Sequence, residues 1–139
     1  MKTLVIDTSV FIKWLNQNNE EDLDNADKIL QDVKSGQVEL VAPELIKYEI
    51  GNVLLKGKQL ISNQAYISLG TAYSLPVTFV TESEQQAKET YSLAHNAGVS
   101  YYDASFMSFA KQYNATLVTD NIKHQGKDSG IKVISLKDY

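Results

Sequence analysis

The chain has no cysteine, no arginine and only two prolines among its 139 residues. Without cysteine there is no disulfide framework and no thiolate metal site. Without arginine there is no planar guanidinium fork to grip a phosphate with two hydrogen bonds, and all 13 basic side chains are lysines. Net charge is −4 and the pI is near 5.1, so the basic excess that holds a nucleic-acid backbone by general electrostatics is missing as well. Any action on nucleic acid would draw much of its local positive charge from bound cations. No stretch approaches the ~20 apolar residues of a membrane span. Asp7 interrupts the first apolar run and Lys13 follows it, so a soluble cytoplasmic protein without a signal peptide is expected.

Other totals are ordinary. Hydrophobic residues at 43% and charged residues at 22% exclude a disordered chain. The length suits one domain with a single core. Leu4-Val5-Ile6 is an unbroken aliphatic run, which suits a strand covered on both faces of a parallel sheet. It leads directly into Asp7-Thr8-Ser9. Asp7 therefore sits at a strand's carboxyl end, the edge of an open α/β sheet where ligands collect.

Further along, Val10 to Asn16 reads as a short helix and Asn16 to Asn19 as a loop. Asp22 to Lys34 is a helix whose acidic start, Glu20-Glu21-Asp22, is a solvated face that complements the helix dipole. Val38 to Val41 is a strand. Pro43 opens a helix to about Lys56, where Gly57 stops it, and Ser62 caps another reaching Tyr73. After a strand at Val77 to Val80, Ser83 caps a helix from Glu84 to Ala97 that Gly98 ends. Asp103 opens a helix to about Tyr113, and strands follow at Thr116 to Thr119 and Lys132 to Ser135. This alternation predicts a three-layer α/β domain: a central, mostly parallel β-sheet flanked by helices, with right-handed crossovers. It does not give the strand order.

Four acids stand out, each with a structural alternative. Asp7 doubles as a helix cap. Glu49 lies four residues from Leu45 and Val53 and three from Ile46, along the apolar stripe of its helix, so it needs a partner, a cation or a cleft edge. Asn52, one turn on, shares that spot. Asp103 sits at a helix start above Phe106, Met107 and Ala110, where capping alone would explain it. Thr119-Asp120-Asn121 ends a strand as Asp7-Thr8-Ser9 does, and turn chemistry alone would explain that cluster. An α/β sheet brings these positions to one edge. Oxygen donors without His or Cys suit Mg²⁺ or Mn²⁺ rather than zinc. His95 and His124 have no visible connection to them. Tyr101 and Tyr102 flank Asp103.

Four pieces, in order and spacing, resemble a PIN domain of the VapC toxin type found in prokaryotic toxin–antitoxin pairs. They are Val5-Ile6-Asp7-Thr8-Ser9, Pro43-Glu44-Leu45 with Glu49 and Asn52, Val99-Ser100-Tyr101-Tyr102-Asp103-Ala104, and Ala115-Thr116-Leu117-Val118-Thr119-Asp120-Asn121. The resemblance implies a PIN fold, Mg²⁺- or Mn²⁺-dependent ribonuclease activity, a homodimer and inhibition by a cognate antitoxin. The family's last acid usually follows the threonine by two residues, where this chain has Asn121, with Asp120 one place early. Three outcomes stay open: Asp120 substitutes as fourth ligand, Asn121 contributes a neutral oxygen, or a second metal binds weakly. On this pattern Asp7 and Asp103 hold the tighter of two ions, and Glu49 with Asp120 or Asn121 completes the cluster. Thr8, Ser9, Asn52 and Thr119 orient the carboxylates. In-line attack by water on RNA would leave a 5′-phosphate and a 3′-hydroxyl, with Lys13, Lys47, Lys123 and Lys127 as phosphate contacts.

Two other readings compete. A receiver-type phosphoacceptor domain would need an acid pair after the first strand and an Asp ending a central strand, but Val77 to Val80 ends without one. A catalytically silent PIN-like module that binds RNA or protein is the alternative from a non-enzyme class.

Overall fold

The computed structural model describes residues 1–122 and 130–139. Among them, five strands form one sheet: β1 (Lys2–Ile6), β2 (Val38–Pro43), β3 (Val77–Val80), β4 (Thr116–Thr119) and β5 (Lys132–Ser135). The strand order is β3-β2-β1-β4-β5, and every pairing is parallel. Among the described residues six α-helices accompany them: α1 (Thr8–Phe11), α2 (Leu23–Lys34), α3 (Leu45–Asn52), α4 (Ser62–Ser74), α5 (Glu84–Ala97) and α6 (Tyr101–Gln112). The chain walks outward from β1 through β2 to β3, then crosses back to β4 on the other side of β1. With right-handed crossovers, that reversal puts the two sets of helices on opposite faces, giving three layers. The receiver reading fails here, because receiver folds order their strands 2-1-3-4-5.

Burial explains the strand composition. Leu4, Val5 and Ile6 are all fully buried although successive residues point to opposite faces, so β1 is covered from both sides. Helix α6 packs across β1, β2 and β4, and α5 packs on α6. Residues Ala104 to Ala110 are consequently buried all round, not only on the Phe106–Met107–Ala110 face. On α1, Phe11 meets the Trp14 ring edge-on at 5.6 Å, and Trp14 Nε1 donates to the Ala26 carbonyl at 2.9 Å.

Several local expectations need correction. The first helix begins at Thr8 because Asp7 caps it, and it tightens into a 3₁₀ turn over Ile12–Trp14 before the polar loop. Pro43 does not open a helix but is the last residue of β2, opposite Val80. Its missing N–H costs nothing there, since Glu44 N supplies the next bond to the Val80 carbonyl at 2.9 Å. The helix after it is shorter than expected: α3 gives way at Val53–Gly57 to a π-turn, in which Lys58 N reaches back to Val53 O at 2.8 Å. Ser62 does not cap α4. Ile61 holds that place, and its carbonyl takes the first helical bond from Ala65 N at 3.0 Å. Asp22 adopts a left-handed φ of 55° and makes no side-chain cap. Finally, α6 starts at Tyr101, with Ser100 Oγ accepting from Asp103 N at 3.0 Å. The capping role weighed for Asp103 thus belongs to Ser100.

The two serines give a paired test. Ser100→Ala is expected to lower unfolding free energy by about 1 kcal/mol, the usual worth of a helix cap. Ser62→Ala is expected to stay within about 0.5 kcal/mol, as for an ordinary surface change. Urea denaturation of both variants checks this, and equal losses would contradict the cap assignment.

Candidate metal centre

The chain reverses direction across the sheet between β1 and β4, and a doubly wound sheet opens a crevice at such a switch point, beyond the strand ends. Asp7 follows β1 there, and Asp7 N bonds the Val118 carbonyl of β4 at 3.4 Å. That bond sets Asp7 beside Thr119. The Asp7 carboxylate is only 5% exposed and is held from three directions. Ser9 Oγ donates to Oδ1 at 2.5 Å, Val10 N reaches the same oxygen at 3.3 Å, and Thr119 Oγ1 donates to Oδ2. Each hydroxyl then accepts a backbone N–H from the loop after β4: Ser9 Oγ from Asp120 N at 3.0 Å, and Thr119 Oγ1 from Asn121 N at 2.8 Å. Two hydroxyls therefore bind the ends of β1 and β4 together through one carboxylate.

Glu49, half-buried on α3, accepts from Thr8 Oγ1 at 2.6 Å. This is the partner that its place on an apolar stripe required. Asp103, in the first turn of α6, completes the set. Burial pushes the Asp7 carboxyl up to about 6, outweighing the hydrogen bonds from Ser9, Thr119 and Val10 that lower it; the charge of Asp103 raises it further. Glu49 is also raised, by burial and then by Asp103, against the Thr8 bond. The Asp103 charge therefore acts on both other carboxylates.

Asp120 has a different environment. Its Oδ2 lies 2.8 Å from Lys13 Nζ, and Lys13 also bonds Glu20 Oε1 at 3.1 Å. Burial works against the Lys13 ammonium, but its bonds to Asp120 and Glu20 prevail and hold its pKa above the ordinary lysine value. A cleft of about 680 Å³ opens here, lined by Thr8, Ser9, Glu20, Glu49, Asn52, Asp120 and the tyrosines Tyr48 and Tyr102. A larger groove of about 870 Å³ runs between α5 and α6 but contains none of these acids, so the chemistry lies at the smaller one. Asn52 and Asn121 are exposed at or beside the cleft.

Sequence reasoning missed Glu20 and Lys58 as members of this region and gave Lys13 the part of a phosphate contact. Lys13 is 2% exposed and paired, so it is not a free phosphate contact. Its signal was visible: a lone cation inside Val10-Phe11-Ile12-Lys13-Trp14-Leu15. Glu20 gave no such sign, and it faces the cleft instead of solvating a helix start. Lys47 pairs with Glu44 at 2.8 Å and lies over the rings of Phe79 and Tyr73. Tyr101 donates its hydroxyl to Glu82 at 2.6 Å, and burial and that carboxylate raise its pKa to about 12. His95 stacks on Tyr91. Lys123, His124 and Lys127 lie outside the described residues.

Among the described residues no three acidic side chains stand at metal-ligand spacing. Asp7 and Glu49 are each drawn instead to neighbouring hydroxyls. On charge and chemistry, however, the donor set fits a hard dication. Its donors are all oxygen, and among the described residues no lysine pairs with Asp7, Glu49 or Asp103.

A PIN domain model matches residues 4–128. The chain belongs to the PIN domain family. Among curated protein sequences it has no significant match. Solved structures with the same fold include VapBC2 from Rickettsia felis bound to a DNA fragment from their promoter, with a TM-score of 0.73 and 17% identity over 96% of this chain and 98% of that one. A toxin–antitoxin complex from Klebsiella pneumoniae gives 0.67 and 16% over 96% and 97%. VapC20 of Mycobacterium tuberculosis, a sarcin–ricin loop cleaving toxin, gives 0.64 and 12% over 82% and 86%. At these identities the PIN fold is what the structures share.

The position of Asp7 has a consequence for pH. An acid whose folded pKa lies above its unfolded value holds its proton more tightly when folded, so its contribution favours the fold below about pH 4 and is lost as pH rises towards 6. A rise from 3.8 to about 6 corresponds to about 3 kcal/mol. In chelator, the stability difference between Asp7→Asn and the unaltered protein is expected to shift in favour of the variant by up to that amount between pH 4 and 7. Urea titrations at several pH values measure it, and a pH-independent difference would contradict the buried-acid assignment.

Proposed function

We propose that this PIN domain is a metal-dependent endoribonuclease that hydrolyses RNA phosphodiester bonds as the toxin of a toxin–antitoxin pair. The observation that carries the reading is that the Asp103 charge acts on both Asp7 and Glu49 beyond the β1–β4 strand ends, while no lysine pairs with any of the three among the described residues. These three would hold Mg²⁺ or Mn²⁺, which when bound neutralises the scissile phosphate and lowers the pKa of water. Thr8 holds a Glu49 oxygen and Ser9 and Thr119 hold those of Asp7, so both carboxylates would turn from these hydroxyls towards an entering cation. Tyr48 and Tyr102, 75% and 57% exposed at the cleft, offer flat faces on which unpaired bases can stack. Membership of the PIN family and the fold shared with a sarcin–ricin loop cleaving toxin support RNA as substrate. The fold shared with toxin–antitoxin complexes supports an antitoxin partner. No described helix is long and apolar enough to cross a membrane.

Purified protein is expected to cut RNA with Mg²⁺ or Mn²⁺ and to stop in EDTA. Undiminished cleavage in EDTA would end the metal mechanism, and no cleavage under any condition would favour a silent binding module. Asp103→Asn separates ligand from scaffold, because Ser100 supplies the cap and the fold should survive. Its cleavage is expected to fall to background. It should also lose most of the metal-induced stabilisation, which is about 2.7 kcal/mol when free metal is 100-fold above its dissociation constant. Melting curves with and without Mn²⁺, beside one RNA assay, measure both. Tyr102→Ala is expected to raise KM more than it lowers kcat, by about 1–3 kcal/mol for a lost stacking contact.

A further inference from the structure

Lys13 comes from an apolar run and is buried, a position where an ammonium is costly unless it is paired and fully bonded. It is both. Its three donors go to Asp120 Oδ2 at 2.8 Å, Glu20 Oε1 at 3.1 Å and the Glu21 carbonyl at 2.7 Å. The second oxygen of Glu20 lies 2.6 Å from Lys58 Nζ, and Lys58 also donates to the Asn18 carbonyl. Asp120, Lys13, Glu20 and Lys58 thus form a chain of alternating sign with no net charge. Asp7, Glu49 and Asp103, of which Glu49 lines the cleft, are three carboxylates with no lysine partner among the described residues.

We infer that the cleft takes a single divalent cation, at Asp7, Glu49 and Asp103, and that the Lys13 ammonium stands in for a second one by keeping Asp120 out of the ligand set. The inference rests on the metal-dependent reading above and departs from the two-ion mechanism expected from the sequence. Three features carry it. Asp120 is pinned at both ends, its side chain by Lys13 and its backbone N–H by Ser9 Oγ at 3.0 Å. To reach a metal it would have to abandon a charge-assisted bond in a partly desolvated setting. A second dication near Asp120 would also face the fixed positive charge of Lys13 at close range, where like charges repel strongly. Finally, Lys13 has no donor left for a phosphate. It is a positioning residue that acts through Asp120 and Glu20, not a substrate contact.

The test counts ions. Chelator-stripped protein is titrated with Mn²⁺ by calorimetry, with free Mn²⁺ followed by its EPR signal. One Mn²⁺ per chain is expected. Asp120→Asn is expected to keep that site with less than about a tenfold loss of affinity, the low end for an outer-shell change. Asp103→Asn should lose more than about 100-fold, beyond the range of outer-shell changes. Lys13→Met frees Asp120 and Glu20, and its Mn²⁺ count is expected to rise to two. Lys13→Arg keeps the charge and should keep the count at one. Two ions in the unaltered protein, a 100-fold loss in Asp120→Asn, or a count unchanged in folded Lys13→Met would each overturn the inference while leaving the metal-dependent reading standing. No Mn²⁺ bound by the unaltered protein would instead sink that reading and this inference with it. Should Lys13→Met fail to fold, the unaltered and Asp120→Asn counts decide the question alone.

Discussion

A carboxylate buried as deeply as Asp7 persists in a folded protein only when its lone pairs are occupied. Ser9 and Thr119 meet that demand, and each is itself fixed by a backbone N–H beyond β4. The register of β1 on β4, Ile6 opposite Val118, is thereby carried one residue past the sheet. Thr8 follows Asp7 directly and so points its hydroxyl towards α3, where Glu49 accepts it. One buried acid thus organises the ends of two strands and, through the next residue, a helix. The same burial that makes Asp7 costly leaves it ready for a cation.

Local chemistry was legible in the sequence, and partnership across the chain was not. Asp7 was readable because a strand ends on it, and Glu49 because an acid on an apolar helical stripe calls for a partner. Asp103 was placed correctly at a helix start although the helix begins two residues earlier, since Ser100 is equally suited to capping. Strand positions were sound because aliphatic runs buried on both faces have no other explanation in a short α/β chain. Pro43 and Ser62 were misjudged by rules true of isolated helices: β3 extends the pairing through Pro43, and Ile61 starts α4 without a side-chain cap. The role of Asp120 depends on a lysine near the other end of the chain. No spacing within Thr119-Asp120-Asn121 reveals that.

The PIN relatives keep this architecture at 12–17% identity. Such tolerance follows from what the fold asks of its sequence: apolar strands, helices with one or more buried faces, and oxygen donors at a few strand and helix ends. Those requirements leave most surface positions free. They also leave room for the charge balance inside the cleft to differ between members while the backbone stays the same. A chain with no arginine at all has only lysine for a buried ion pair, and its compact ammonium suits a three-acceptor socket such as that of Lys13.

The π-turn at Val53–Gly57 makes the length of the chain between Glu49 and Lys58 part of the site. A π-turn holds more residues than an α-helical turn of the same span. Removing one residue would let the segment revert to an α-helical turn with Lys58 in place, whereas removing a second would swing Lys58 by about 100° around the axis, since each residue turns an α-helix by that angle. Lys58 would then leave Glu20, and Glu20 would have only Lys13 to balance it. Substitutions at the exposed Leu55 and Lys56 change only what the surface presents, whereas Leu54 is held in the core. Longer deletions alter the charge on the cleft wall, so the segment is constrained in length far more than in composition.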